Sequence, residues 1–307
     1  MNLLLTGASG FIGGYLIDYL NERPHFNCTI LSRSHIELVD NILNVDLLSD
    51  FDLRDVLRAQ DAVIHIAAMT NANEVGDKVE LFKMNVDATL RLAEQSASAG
   101  VKRFVFVSSI GVNGTSTSDK PFTSHGKVQP HNAYAQSKYE AELGLKKIAE
   151  ETRLEVVIVR PTLVYGLNAP GKFGMLTKLV KKLPVLPFCL ANNRRDFISV
   201  QNLADLLITC ATHPEAAGHT FLPSDGETVS IKQFTNAIAK GLGKKVFQLP
   251  VPVALMRLAG KLVGKSDMIE QLYGNLEVDS SNIKEVLGWT PPYTMEQSMA
   301  LLKHTDK

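Results

Sequence analysis

The chain has 307 residues and a mass of 33.6 kDa, enough for one large core or for a nucleotide-binding unit with a smaller lobe. Lys plus Arg and Asp plus Glu both number 32, so the formal net charge is zero, and no basic excess points to nucleic acid or an anionic membrane as partner. Cys28, Cys189 and Cys210 are odd in number and far apart, which argues against a disulfide framework or a cysteine-spaced metal site; no metal is expected.

Asn2–Thr6 is a predicted strand that the chain enters at once, with no basic region ahead of an apolar one; no signal peptide is expected, and a cytoplasmic location is. No apolar stretch reaches ~18 residues, so no stable membrane insertion is expected either. The strand leads through Gly7-Ala8-Ser9-Gly10-Phe11-Ile12-Gly13 into a predicted helix, Phe11–Asn21. A G-x-x-G-x-x-G turn between strand and helix is the signature of a dinucleotide site. Its glycines allow a tight turn, close approach of backbone to pyrophosphate, and close packing of helix on sheet. The helix N-terminus offers free N–H groups and the positive end of its dipole. Gly7, Ser9, Gly10, Phe11, Ile12 and Gly13 are therefore the candidate pyrophosphate-binding residues.

The next strand, over 28–31, ends in Ser32-Arg33-Ser34. NAD sites commonly place a carboxylate there for the ribose 2′-hydroxyl. Arg33 suits a 2′-phosphate instead, so NADP(H) is expected in preference to NAD(H), for which Glu37 or Asp40 would have to reach the ribose. After a short strand over 42–45, Asp46 and Leu47 are candidates for the adenine end of the cofactor. The strand over 62–66 contains His65, read as a packed core histidine. It ends in Ala67-Ala68, small enough for backbone to lie against a ribose. A helix over 79–99 leads to a strand over 104–108 that closes on Ser108-Ser109. A polar loop over 111–131 is long enough to be either functional or disordered. The helix Ala133–Glu151 and a strand over 156–159 follow.

Near-continuously apolar strands alternating with helices predict an α/β fold with a Rossmann-like, doubly wound parallel sheet. After Pro161 the pattern loosens, with helices over 173–182, 201–212, Ile231–Gly241 and Ser281–Leu287 and strands over 197–200 and 220–222. An apolar segment over 251–264 reads as an amphipathic helix packed on the lobe. This predicts a dinucleotide-binding domain over 1–166 and a smaller mixed substrate-binding lobe over 167–307, with the segment near 196–212 returning to the first.

Tyr134 and Lys138 stand at i and i+4, on one helix face. A phenol with a pKa near 10 is a poor acid–base catalyst at neutral pH, and a neighbouring ammonium lowers that pKa. Lys138 can also hold a nicotinamide ribose.

These residues together resemble the extended short-chain dehydrogenase/reductases, the nucleotide-sugar epimerases, dehydratases and reductases, and the resemblance covers nearly the whole chain. Thr6 to Gly13, His65 to Ala68, Asn85, Ser108-Ser109 and Tyr134 to Lys138 carry it. So do Arg195-Asp196-Phe197-Ile198 and Gly288-Trp289-Thr290-Pro291 further on. The resemblance implies a nucleotide-sugar substrate, with Tyr134 as acid/base, Ser109 orienting the sugar oxygen, Ser108 beside it, and Arg195 on the diphosphate. The plainer alternative for Arg195 is an ion pair with Asp196 or Asp205. The resemblance is compatible with a homodimer.

There are departures. Dehydratases of this family carry an acidic pair after the catalytic hydroxyl, where this chain has Ile110-Gly111. Many epimerases carry R-x-F-N, its Asn touching the substrate phosphate, where this chain has Arg160-Pro161-Thr162-Leu163. The run from Arg160 to Gly166, with Asn193-Arg194-Arg195-Asp196-Phe197 and Leu249-Pro250-Val251-Pro252, is similar to reductases of UDP-4-keto-6-deoxy-N-acetylhexosamines. The leading expectation is reduction of a 4-keto sugar by NADPH. A UDP-hexose 4-epimerase with retained NAD is the alternative, and a non-catalytic NADP(H)-binding protein the more distant one, disfavoured by the intact Tyr134 and Lys138.

Overall fold

A computed structural model describes residues 1–33, 41–70, 75–262, 264 and 266–306. In chain order the first half contains β1 (Asn2–Thr6), α1 (Phe11–Asn21), β2 (Asn27–Ser32), β3 (Ile42–Asn44), α2 (Arg54–Leu57), β4 (Ala62–His65), α3 (Val75–Phe82), α4 (Ala88–Ala99), β5 (Arg103–Val107), α5 (Ala133–Glu151) and β6 (Glu155–Val159). The second half contains β7 (Leu163–Tyr165), α6 (Gly171–Lys182), β8 (Val185–Leu186), β9 (Phe197–Ser199), α7 (Val200–Thr212), β10 (Thr220–Phe221), α8 (Ile231–Gly241), β11 (Phe247–Gln248), α9 (Val253–Leu262), α10 (Ser266–Tyr273), α11 (Ser281–Leu287) and α12 (Met295–Ala300).

Seven parallel strands form one sheet in the order β10-β6-β5-β4-β1-β2-β3. The fold is the expected Rossmann-like one. Strands β4 and β5 are buried along their whole length, which explains why they read as unbroken apolar runs. One face is covered by α1 and α7: Leu16 and Leu20 join Leu203, Leu206 and Leu207 over Leu3, Leu5, Val105 and Val157. The other is covered by α4 and α5, through Leu92, Ala93, Ala141 and Leu145 on Leu4, Val63, Phe104 and Phe106. Strand order reverses between β1 and β4, so a crevice opens at the C-terminal ends of those strands, where open α/β sheets bind ligands.

The C-terminal half does more than sit beside this sheet. Its β10 extends the sheet next to β6, whereas β9 pairs with β7 in a separate two-stranded sheet. Buried Arg103 on β5 donates to the carbonyls of Cys210 (2.7 Å) and His213 (2.9 Å) and pairs with Glu155, capping the C-terminus of α7 with a cation. Asp205 on α7 accepts from Tyr19 of α1 and from the indole N–H of Trp289, both at 2.6 Å. Gly288 takes φ 61° at the end of α11, a left-handed C-cap that turns Trp289 toward Asp205.

One region differs from the sequence reading, and the structure shows what holds a second. The helix expected over 79–99 begins at Val75 and is broken by a π-helical segment, Lys83–Asp87. The long loop is ordered: Phe122 and Thr117 donate backbone bonds to Glu277 and Asn275, and Phe122 accepts one from Asp279.

Candidate active site

The residues expected to hold a dinucleotide gather at one edge of the sheet. Gly7 turns the chain out of β1 at φ 78°. A Cβ there would lie 2.6 Å from Ala67 N, so the turn after β1 and the end of β4 meet backbone to backbone. At Gly13 a Cβ would strike Gly7 O, which is the close helix–turn packing the third glycine permits. Gly10 is the N-cap of α1 and no side chain caps that end, so its first-turn N–H groups lack a side-chain acceptor. Ser9 and Gly10 are exposed, Phe11 and Ile12 half-buried. Ala67 and Ala68 line the crevice mouth half-buried, and Ala67 N donates to Thr6 Oγ1 at 3.2 Å.

Arg33 lies exposed beyond β2 and Asp46 exposed beyond β3, with Asp46 Oδ1 accepting from Leu48 N at 3.1 Å. Leu47 is buried in the core, so only its backbone can serve a ligand. Glu37 and Asp40 lie outside the described residues. His65 is the core histidine expected. Its ring nitrogens lie 2.7 Å from Thr6 Oγ1 and 2.9 Å from Thr89 Oγ1, and burial, then the Lys138 charge, push its pKa down to about 3. It is a neutral strut between β1, β4 and α4.

The catalytic candidates stand on α5 and at the end of β5. Asn132 caps α5, accepting from Ala135 N at 2.8 Å, which fixes Tyr134 in the first turn. Lys138 follows one turn later and Glu142 a turn after that, all on the buried face. Lys138 is 1% exposed, and its Nζ lies 4.3 Å from the centre of the Phe106 ring with no hydrogen-bond partner among the described residues. Burial brings its pKa down to about 7, partly opposed by the Glu142 carboxylate. Burial also raises the Tyr134 pKa to about 12, the reverse of the lowering expected from a charged lysine. The physical reason is that burial takes water away from the phenolate and so disfavours the charged form. An orphaned buried amine on α5 and an uncapped N-terminus on α1 each suit a nicotinamide dinucleotide, whose pyrophosphate and ribose hydroxyls are acceptors of the kind both lack.

The two serines part company. Ser108 was expected beside the substrate, but it is 2% exposed and its Oγ donates to Glu142 Oε1 at 2.5 Å. Ser109 is half-buried, and its Oγ accepts from Gly111 N at 3.1 Å, leaving its own proton free to donate.

Sequence reasoning missed the partner of this cluster. Glu142 and Arg160 form a buried two-point ion pair, Nε to Oε1 at 2.9 Å and Nη2 to Oε2 at 2.5 Å, and Arg160 Nη1 also donates to Asn113 Oδ1 at 3.0 Å. A carboxylate continuing the i, i+4 row of Tyr134 and Lys138 was the available signal. Thr162 Oγ1 donates to Pro223 O at 3.2 Å and Leu163 opens β7, so neither offers an amide to a ligand.

Asn85, in the π segment, ties these parts together. Its side chain accepts from Met69 N and donates to Met69 O, both at 2.8 Å, and donates to Ser137 Oγ at 2.9 Å. Ser137 in turn donates to Tyr134 O at 2.9 Å.

Arg195 is half-buried, and its Nη1 donates to Gly274 O at 2.9 Å. Among the described residues it forms no ion pair: Asp196 accepts from Thr228 and Val278 N, and Asp205 from Tyr19 and Trp289. Desolvation lowers the Arg195 pKa to about 10. Lys172 is lowered first by desolvation and then by the Arg195 charge, so the two cations feel each other. No group of metal-ligating side chains occurs among the described residues.

A family model described as the NAD dependent epimerase/dehydratase family matches residues 3–224. A UDP-glucose 4-epimerase of Vibrio cholerae is 39% identical over 305 residues, covering 96% of this chain and 92% of that protein. An N-acetyl-alpha-D-glucosaminyl-diphospho-ditrans,octacis-undecaprenol 4-epimerase of Escherichia coli O157:H7 is 24% identical, covering 97% and 93%. Among solved structures, a UDP-glucose 4-epimerase of Thermotoga maritima with UDP-glucose superposes with a TM-score of 0.76 at 22% identity, covering 99% of this chain and 98% of that one. A short-chain dehydrogenase/reductase superfamily protein of Agrobacterium tumefaciens with bound NAD gives 0.78 at 19%, covering 99% and 96%.

Proposed function

The chain belongs to the NAD-dependent epimerase/dehydratase family, and from that premise we propose that it is an oxidoreductase acting at C4 of a nucleotide-linked sugar, with Tyr134 as the proton donor. The observation that carries this reading is the buried, unpartnered Nζ of Lys138, one turn from Tyr134 and over the Phe106 ring near the C-terminal end of β5. A bound nicotinamide supplies or accepts the hydride. Lys138 holds a ribose hydroxyl and, once charged, lowers the cost of a phenolate at Tyr134. Tyr134 gives its proton to a C4 ketone oxygen, or takes one from a C4 hydroxyl in the reverse direction. Ser109 donates to the same oxygen and fixes which face of the sugar is presented. Arg195 and Lys172 supply two cations for a diphosphate.

The finer reading is net reduction of a 4-keto-6-deoxy sugar by NADPH. Leu163, apolar where many epimerases carry a phosphate-binding Asn, supports it, and exposed Arg33 supports the NADPH preference. The Vibrio cholerae relative favours a second reading, a UDP-hexose 4-epimerase with retained NAD. Incubation with UDP-glucose, UDP-N-acetylglucosamine and their 4-keto-6-deoxy derivatives separates the two. Stoichiometric loss of NADPH absorbance means reductase; interconversion of 4-epimers without net loss means epimerase. Tyr134→Phe is expected to lose turnover by ~100-fold or more with cofactor affinity nearly unchanged. A variant of near-wild-type rate overturns the assignment.

A further inference from the structure

The zero net charge hides a segregation. Residues 156–195 contain seven basic side chains and no acidic one, and residues 228–266 contain seven more and none. The other 228 residues therefore hold 18 basic and 32 acidic side chains, a net charge of −14 against +14. The fold brings parts of the two basic segments together: β8 pairs with β11, Phe247 N donates to Pro184 O, and Lys244 Nζ donates to Lys181 O.

Exposed apolar side chains lie on these two strands and on α9, which follows β11 closely in the chain. Val185 and Phe247 face each other across the two strands, with Leu183 and Leu249 beside them, and Phe247 is 64% exposed. On α9, Val253 and Met256 turn inward to the lobe core, but Leu255, Leu258 and Leu262 are 55%, 55% and 79% exposed. A helix apolar on both faces is unstable at a water surface unless something else covers it. Two cations near the face are already neutralised, Arg257 by Glu270 and Lys240 by Glu296. Exposed Lys178, Lys182, Lys245 and Lys261 form no ion pair among the described residues.

We propose that the face formed by the end of α6, β8, β11 and α9 docks on an anionic lipid surface, with its leucines and Phe247 entering the headgroup layer and its lysines meeting lipid phosphates. Exposed apolar side chains accompanied by unpaired lysines on the same segments match that partner on both counts. A second copy of the chain fits worse, because an isologous contact would set this cluster of lysines against itself. Docking adds a peripheral contact and no span: no helix among the described residues is long and apolar enough to cross a membrane. The proposal stands apart from the reaction assigned above.

The test is co-sedimentation of the full chain with vesicles of phosphatidylcholine, with and without phosphatidylglycerol, at two salt concentrations. Binding is expected only to the anionic vesicles and is expected to weaken as salt rises. One lysine near such a surface is worth about five-fold in partition, so Lys182→Glu/Lys245→Glu/Lys261→Glu should lower binding by ~100-fold or more. Leu258→Ser/Leu262→Ser should lower it by about 10-fold or more. All five positions are exposed, and unchanged melting curves and catalytic rates would establish that the variants fold. Failure to bind anionic vesicles, equal binding to neutral ones, or undiminished binding by the lysine variant overturns the proposal. A wild-type dimer in light scattering that Leu258→Ser/Leu262→Ser turns into a monomer also overturns it, by showing that a second copy covers the face.

Discussion

An amine buried without an acceptor disfavours its own ammonium, and Lys138 shows the effect on stability as well as on chemistry. Its pKa falls from 10.5 to about 7 in the native state. Below about pH 7 both native and unfolded chains carry the proton and the whole penalty of burying it is present. Between about 7 and 10.5 the unfolded chain binds a proton that the native chain does not, so stability from this group rises with pH across that window. Lys138→Met should therefore stabilise the cofactor-free protein at neutral pH, by on the order of 1–3 kcal/mol, while weakening cofactor binding and slowing turnover. Melting curves at pH 6 and near pH 10 check it, since the gain should shrink at the higher pH. The groups facing Lys138 are Glu142 on its own helix, neutral His65 on β4 and the Phe106 ring on β5, with Arg160 held on Glu142. Activity that depends on the ammonium should fall as pH rises through about 7. Glu142→Gln removes the charge that props this pKa up, so the inflection in kcat/KM should move to lower pH. Stability should also fall, by up to about 3–5 kcal/mol, because Arg160 loses its counter-charge. A loss of stability with the inflection unmoved would make Glu142 purely structural.

At the scale of elements, the strands were legible as short unbroken apolar runs, because burial on both faces removes any alternation, and most helices were legible between them. Asn2–Thr6, Phe11–Asn21, Ala133–Glu151 and Ile231–Gly241 fall where the sequence pattern put them. What escaped was set by tertiary partners. The π segment Lys83–Asp87 exists where Asn85 must meet Met69 and Ser137, and nothing in local periodicity demands an extra residue in that turn. The two-residue strands β8 and β11 are too short to show a period. Ser108 and Ser109 are adjacent and chemically alike, and only the unseen Glu142 decides which one turns inward. The π segment is testable as an element. Asn85→Leu strips the partners from both backbone groups of Met69 and releases Ser137, which steadies the carbonyl of Tyr134. It should cost about 2–3 kcal/mol of stability and lower kcat more than it raises KM. Denaturant melts and steady-state kinetics of the folded variant read both, and an unchanged kcat would detach the element from the site.

Over the whole molecule, Asp205 joins α1, α7 and the turn after α11. The sequence showed Gly288-Trp289 only as part of a resemblance; the physical reason for it, an indole N–H delivered to a distant carboxylate, needed the fold. Asp205→Ala leaves the Tyr19 hydroxyl and Trp289 N–H without their acceptor and should destabilise the protein by about 2–4 kcal/mol. Trp289 is the only tryptophan, so its fluorescence emission should shift in the native variant and follow the earlier melt. The placement of α7 has a further consequence for how the chain is made. The helix supplies Leu203, Leu206 and Leu207 to one face of a sheet whose strands up to β6 are synthesised first. At ribosomal speeds of ~5–20 residues per second, the part of that apolar face not covered by α1 stays open for several seconds. The nascent chain should accordingly be a client for chaperones in that interval, and a fragment truncated after residue 166 should stay aggregation-prone however well its own helices form.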